Sequence, residues 1–144
     1  MSDEYSIREA LKEAEKARAK EEVPIGAVAV LNGKIIARRH NEVEERLDPT
    51  AHAEILALKD AFGFSKDKWL YGLHLYVTLE PCTMCYGAMF LYRIEKLIFG
   101  AYSNTWKKEE DRLLHNLNHK IEIEGGILSN ECSEILSEFF KTIR

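Results

Sequence analysis

The chain lacks long apolar segments and has only three cysteines and three prolines among its 144 residues. No apolar run approaches the roughly 18 residues that a membrane span needs. The acidic start, Met1 to Glu4, is followed by no apolar h-region, so we expect no secretory signal, no membrane partner and a cytoplasmic protein. Three cysteines cannot all pair, and two of them, Cys82 and Cys85, have the Cys-x-x-Cys spacing. Metal binding is therefore favoured over a disulfide.

An excess of positive charge is also absent. The chain has 20 Lys and Arg residues against 24 Asp and Glu residues, which gives a net charge of −4. This balance argues against a general nucleic-acid-binding protein, although a local basic patch remains compatible with it. The apolar fraction of 46% and the charged fraction of 31% are typical of a soluble globular protein. The length is that of one domain.

An alternation of strand and helix patterns is present. The sequence predicts strands over 26–31, 34–40, 74–79, 96–100 and 121–124, and helices over 51–62, 81–93 and 130–144, after a first helix that ends before Val23. Asn32 and Gly33 predict a type I′ hairpin turn. Strand, helix and strand over 74–100 predict a parallel βαβ unit. A second crossover is predicted between residues 101 and 119, with Leu113, Leu114 and Leu117 on its apolar face. We therefore expect residues 1–144 to form a single α/β domain.

Two short motifs carry the chemistry. The first contains His52 and Glu54, and the second contains Cys82 and Cys85 directly after a predicted strand. One histidine and two cysteines make a three-ligand zinc site whose fourth position stays open, which is the catalytic form of zinc coordination. The sequence therefore predicts one Zn²⁺ per subunit, held by His52, Cys82 and Cys85. Glu54, a nearby carboxylate that is not a ligand, is predicted to transfer protons.

Both groups of ligands are expected in the first turns of helices. Thr50 is expected to cap the helix that carries His52, and Pro81 is expected at the first position of the helix that carries the cysteines. A helix N-terminus has a positive potential and free N–H donors, which lower thiol pKa values. That environment favours the thiolates that a metal ion requires.

These motifs resemble those of the zinc-dependent nucleobase deaminase superfamily and, within it, of the bacterial tRNA adenosine deaminases. The matching stretches are residues 22–28, 40–41, 48–55, 75–82 and 128–132. The resemblance implies a three-layer α/β/α, cytidine-deaminase-like fold with a five-stranded mixed sheet. It implies a homodimer that converts wobble adenosine to inosine in the tRNA anticodon stem-loop, with release of ammonia. It also implies that Asn41, Val23, Ile25 and Ala53 bind the substrate, Asn41 through a hydrogen bond to the base.

The helix that runs from Cys82 to Arg93 has almost no polar face. Its residues between Tyr86 and Tyr92 are apolar, aromatic or small. A helix that is apolar all round is buried all round, yet one side of a single sheet covers only part of it. The sequence therefore predicts that the outer face of this helix is buried in a homodimer.

Two other functions remain open at this point. A deaminase of a free nucleobase or another small amino-heterocycle, such as guanine or cytosine, would share the zinc site and Glu54. The net acidity favours it, as does the run from Tyr102 to Asp111, which is bulky and acidic at its end. The basic C-terminal residues Lys141 and Arg144 favour tRNA instead. A zinc-stabilised scaffold without catalysis would leave Glu54 unexplained.

Overall fold

The computed structural model describes residues 1–66, 69–103 and 119–142. The helices are α1 Asp3–Ala19, α2 Val43–Arg46, α3 Ala53–Ser65, α4 Thr83–Tyr92 and α5 Ser129–Thr142. The strands are β1 Gly26–Leu31, β2 Lys34–His40, β3 His74–Leu79, β4 Lys96–Ala101 and β5 Glu122–Glu124. The predicted leucine-lined crossover, most of the run from Tyr102 to Asp111, and Arg144 lie outside the described residues. Within them, no helix is long and apolar enough to cross a membrane.

The five strands form one mixed sheet in the order β2-β1-β3-β4-β5. Strand β1 is antiparallel to both β2 and β3, whereas β3, β4 and β5 are parallel to one another. The predicted type I′ turn is confirmed, because Asn32 and Gly33 have φ angles of 52° and 76°. The parallel pairing of β3 and β4 around α4 confirms the predicted βαβ unit. The short strand β5 lies at the edge of the sheet, next to β4.

Helices cover both faces of the sheet. On one face, Ile7 of α1 and Cys132 of α5 pack with Val28 of β1. On the other face, α3 and α4 pack against residues such as Ala29 of the same strand. Because β1 is covered on both sides, five of its six residues are buried, which accounts for its continuous apolar sequence. The three-layer α/β/α fold with a five-stranded mixed sheet is confirmed.

The two helices that carry the candidate site begin later than the sequence predicted. Helix α3 starts at Ala53 and α4 at Thr83. Thr50 does not cap α3, because His52 occupies the N-cap position; the Thr50 N–H and hydroxyl donate to Asp48 Oδ1, at 2.9 and 2.7 Å, and close a turn before the helix. Pro81 likewise precedes α4, so the prediction that it opens the helix was wrong. The N-cap positions belong instead to two candidate zinc ligands, His52 and Cys82.

Glu42 links the end of β2 to α2 through two arginines. Its Oε2 accepts a hydrogen bond from Arg39 at 2.9 Å, and its Oε1 accepts one from Arg46 at 2.6 Å. Burial alone would raise the pKa of Glu42, but Arg46 and Arg39 outweigh burial and hold it at about 2, below the ordinary value of 4.5. These pairs therefore stabilise the fold fully above pH 4.5, and the stabilisation is lost as the pH falls toward 2.

We expect Glu42→Gln to lower the free energy of unfolding at pH 7 by roughly 1–3 kcal/mol, because two charge-assisted hydrogen bonds are weakened. The difference from the wild type should shrink between pH 4.5 and 2 as the native carboxylate is protonated. Urea unfolding at a series of pH values measures both quantities. Glu15→Gln makes the same charge change at an exposed position of α1 and should have little effect. A difference that is constant over the whole pH range would contradict the assignment.

Candidate metal centre

The structure brings the three predicted zinc ligands together. His52 Nδ1 lies 3.6 Å from the Sγ atoms of both Cys82 and Cys85, and the two sulfurs are 3.7 Å apart. A tetrahedral ion with ordinary zinc–nitrogen and zinc–sulfur bond lengths requires separations of about 3.6 Å between nitrogen and sulfur and about 3.8 Å between sulfurs. The donor set and its spacing therefore fit one zinc ion. Three protein donors leave one tetrahedral position for another ligand.

The backbone explains why these side chains converge. His52 and Cys82 are the N-cap residues of α3 and α4, with extended φ and ψ angles, and neither side chain makes a capping hydrogen bond. An N-cap side chain projects over the end of its helix, where it usually satisfies a free N–H group. Here two such side chains point toward the same space instead. Cys85 joins them from the first turn of α4 and is buried.

The two thiols titrate as a pair. The interaction with Cys85 lowers the pKa of Cys82, and His52 acts in the same direction. The interaction with Cys82, together with burial, raises the pKa of Cys85. One of the two thiols therefore loses its proton readily without a cation. Loss of the second proton is favoured when a positive ion compensates the additional negative charge. A site of this kind releases a proton when it binds a divalent metal.

Glu54 lies beside this cluster without belonging to it. Its carboxylate interacts with the Cys85 thiol, and its side chain is buried, with 4% of the residue exposed. Burial raises the pKa of Glu54 to about 7. Its Oε1 atom has no hydrogen-bond partner among the described residues. Because a buried polar atom without a partner is costly, this oxygen is suited to a water molecule or a substrate group.

The later start of α3 allows the side chains of His52 and Glu54 to face the same space. Two residues that are two positions apart in an ideal helix point in different directions. His52 is outside the helix, at its N-cap, and Glu54 is at the second helical position. Both side chains can therefore reach the same space.

A cavity of about 260 Å³ opens next to His52. Val23, Ile25 and Asn41, three of the residues expected to bind the substrate, line it. Asn41 is buried, and its backbone N–H donates to the Ile25 carbonyl at 3.1 Å. Ala53, the fourth, does not line this cavity; its side chain is fully buried in the core beneath α3. The volume is just below the range of about 300–1,000 Å³ typical of ligand pockets, which suits a single heterocycle.

Sequence reasoning missed four residues that line the cavity: Glu22, Val43, Glu44 and Pro49. For Pro49, its place three residues before His52 was a usable signal. Val43 and Glu44 belong to a charged connection between the strand predicted over 34–40 and the helix predicted over 51–62. Nothing in the sequence alone indicates that this connection forms a short helix against the segment from Glu22 to Ile25.

Comparisons with known proteins place the chain among deaminases. The sequence profile of the MafB19-like deaminase family matches residues 1–144. A tRNA-specific adenosine deaminase from Aquifex aeolicus (strain VF5) is 47% identical over 152 aligned residues, which cover 100% of this chain and 97% of the relative. These matches extend over the whole chain and are not confined to the metal-binding motifs.

Two solved structures extend the comparison. One comes from studies of A-to-I editing by tRNA:A34 deaminases at the wobble position of transfer RNA. It aligns with a TM-score of 0.87 and 39% identity, and covers 92% of this chain and 99% of its own. A guanine deaminase from Bacillus subtilis aligns with a TM-score of 0.68 and 27% identity, and covers 96% of this chain and 94% of its own. The same architecture therefore occurs in proteins named for different bases.

Proposed function

Because this chain belongs to the MafB19-like deaminase family and, within it, to the tRNA-specific adenosine deaminases, we propose that it converts adenosine at the wobble position of tRNA into inosine. The reaction adds one water molecule across the carbon–nitrogen bond of the amidine and releases one ammonia molecule. The family match over residues 1–144 supports a single deaminase domain. The observation that carries the chemistry is the unpaired, buried Oε1 atom of Glu54 beside a three-donor metal cluster.

His52, Cys82 and Cys85 are the residues that would hold a single zinc ion. Their ligand atoms all lie within 4.8 Å of one another, and their spacing matches tetrahedral coordination. A zinc ion held there supplies Lewis acidity that makes water a competent nucleophile at neutral pH. Two helix N-termini add positive potential around the thiolates and so support the same chemistry.

Glu54 moves the protons. It takes a proton from the attacking water and delivers it to the ring nitrogen next to the amino-bearing carbon. It then takes the remaining proton from the hydroxyl that has been added to that carbon and gives it to the departing amine, which leaves as ammonia while the hydroxyl oxygen becomes the carbonyl oxygen of inosine. A carboxyl group suits both transfers when its pKa lies near the working pH, and burial moves the pKa of Glu54 in that direction.

The cavity next to His52 holds the base. Asn41 offers a side-chain amide, which can donate to and accept from a heterocycle. Val23 and Ile25 provide an apolar wall, and Pro49 lies beside His52. The cavity accepts one base, so a nucleotide in RNA must turn its base away from its neighbours to enter.

The substrate is tested by measuring ammonia release from two classes of compound under the same conditions. The first is an anticodon stem-loop with adenosine at the wobble position, with a control stem-loop that has inosine there. The second is a panel of free guanine, cytosine, adenine and their nucleosides. We expect turnover of the adenosine stem-loop only. Turnover of a free base with no reaction on RNA would replace this proposal by the free-base function.

A homodimer formed through the helix from Cys82 to Arg93 is part of the proposal. Met84 and Leu91, about two turns apart on the outer face of α4, are 37% and 75% exposed, and the small residues Gly87 and Ala88 between them are half-buried. This face is apolar throughout. Phe62, at the end of α3, is 38% exposed and packs edge-to-face against Tyr92. Apolar surface of this kind is typical of a subunit interface.

Leu91→Lys is expected to convert the dimer into a monomer, because a charge would be buried at the centre of the interface. Sedimentation equilibrium at micromolar concentration should change from the mass of two chains to the mass of one. Leu47→Lys makes the same substitution at a residue that is 88% exposed elsewhere on the surface and should leave the mass unchanged. A monomeric wild-type protein at that concentration would disprove the dimer.

A cytoplasmic location is also proposed. All three cysteines are free, and the metal cluster needs Cys82 and Cys85 in their reduced state. A reducing compartment maintains that state.

A further inference from the structure

Glu22 is a buried carboxylate that the proposed chemistry does not use. Its residue is 1% exposed. Its two oxygens each accept a hydrogen bond from the backbone of α2: Oε1 from the N–H of Glu44 at 3.0 Å, and Oε2 from the N–H of Glu45 at 2.7 Å. Both acceptor atoms are therefore directed at one end of one short helix.

Helix α2 lacks a cap of its own. The first N–H groups of any helix have no partner within the helix, and the N-cap side chain usually satisfies one of them. The N-cap residue of α2 is Glu42, whose side chain makes no capping hydrogen bond. Its carboxylate binds Arg39 and Arg46 instead. Glu22 therefore supplies the cap from a distant part of the chain.

The backbone of Glu22 is itself fixed. Two residues after the end of helix α1, Glu21 adopts a left-handed conformation with φ of 61°, and the N–H of Glu22 donates to the Ala17 carbonyl at 2.9 Å. This is the pattern of a Schellman motif, which closes a helix in a defined geometry. The C-terminus of α1 thus directs the Glu22 carboxylate toward the N-terminus of α2.

This link joins the two walls of the cavity next to His52. Val23 and Ile25, directly after Glu22, form one wall, whereas Asn41, Val43 and Pro49 form the other. Besides the cap from Glu22, a backbone hydrogen bond from the Asn41 N–H to the Ile25 carbonyl, at 3.1 Å, joins the second wall to the first. The length of the Glu22 side chain therefore helps to set the distance between the walls.

We propose that Glu22 is a positioning residue for the substrate: by capping α2 it holds the wall that contains Asn41 and Val43 at the spacing that the base requires. This inference rests on the proposed function, in which that cavity binds the base. Glu22 does not touch the metal cluster, so its contribution should be to substrate binding and not to the chemical step.

The test is Glu22→Gln, assayed with the adenosine stem-loop. Glutamine has the same size but directs an NH₂ group at one of the two backbone N–H donors, so one hydrogen bond is lost and two donors face each other. We expect KM to rise by roughly 10–100-fold, which corresponds to the loss of a hydrogen bond to a charged group, while kcat changes by less than about 3-fold. Zinc content per subunit should equal that of the wild type.

A second measurement does not depend on turnover. Hydrogen exchange of the Glu44 and Glu45 amides in the substrate-free protein should become at least about 10-fold faster in Glu22→Gln, because these amides lose their acceptors. Glu15→Gln, the exposed variant with the same charge change, should leave exchange and KM unchanged. Glu22→Asp keeps the charge but is one methylene shorter, so it should change KM in the same direction by a smaller factor.

Two results would overturn the role of Glu22: unchanged amide exchange with unchanged KM, or a fall in kcat at constant KM. If Glu22→Gln does not fold, Glu22→Asp provides the same comparison. If the wild-type protein deaminates neither RNA nor a free base, the proposed function fails. The exchange measurement then still decides whether Glu22 caps α2.

Discussion

Glu54→Gln is expected to abolish ammonia release from the stem-loop while leaving the bound zinc in place. The amide has the size of the carboxylate but cannot accept a proton from water or donate one to the base. Loss of a positioned acid–base group typically lowers the rate by about 10²–10⁴-fold, and a group that also activates the nucleophile costs more. Because Glu54 is not one of the three donors, metal content should remain at the wild-type level.

Turnover is measured as ammonia and inosine formed from the adenosine stem-loop, and zinc by elemental analysis of the purified protein. Glu15→Gln, exposed on α1, controls for the change of charge. Ammonia release by Glu54→Gln at a rate comparable to the wild type would refute the acid–base role. Loss of zinc together with activity would show instead that Glu54 contributes to the metal site.

Cys85→Ser is expected to lower zinc affinity by more than about 100-fold. Loss of a residue that only hydrogen-bonds to a metal ligand already lowers metal affinity by about 10–100-fold. Cys85 would supply one of the three ligand atoms itself, so its loss should have a larger effect. Its sulfur lies 3.6 Å from His52 Nδ1 and 3.7 Å from Cys82 Sγ, and the residue is fully buried. A hydroxyl is a weaker zinc ligand than a thiolate.

The chain provides a matched control for this substitution. Cys132 is also fully buried and free, but it packs between α5 and the opposite face of the sheet. Cys132→Ser should lower stability somewhat and retain zinc. Competition with a chromogenic zinc chelator gives both affinities. Equal zinc affinities for the two variants would exclude Cys85 as a ligand.

The candidate zinc ligands could be identified from residue type and spacing because each of the two motifs that supply them is short. Cysteines three positions apart at the start of a helix face the same side, and a histidine with a nearby glutamate offers a ligand and a base. The hairpin turn at Asn32 and Gly33 was equally predictable, since few residue pairs adopt two successive positive φ angles. In each case, the signal lies within a few residues, although the two metal-binding motifs are themselves 30 positions apart.

The helix starts were predicted less well because local signals competed. Thr50 is a good N-cap residue, but it closes a turn with Asp48, and the helix begins only after that turn, at Ala53. The N-cap positions then fall to His52 and Cys82, residue types that capping preferences alone do not select. The two positions depart from the usual N-cap preferences because their side chains are candidate metal ligands.

The amino-acid sequence by itself determined the α/β class, the order of the strands and of the longer helices, the candidate metal-binding residues and the candidate general base, because each follows from short-range pattern and residue chemistry. Only the tertiary structure decided that His52 and Cys82 face one another across two helix ends. It also decided that Glu22 caps α2 and so joins the two walls of the cavity. These contacts bring together residues more than 20 positions apart, and their geometry depends on how the layers pack, which no local pattern encodes.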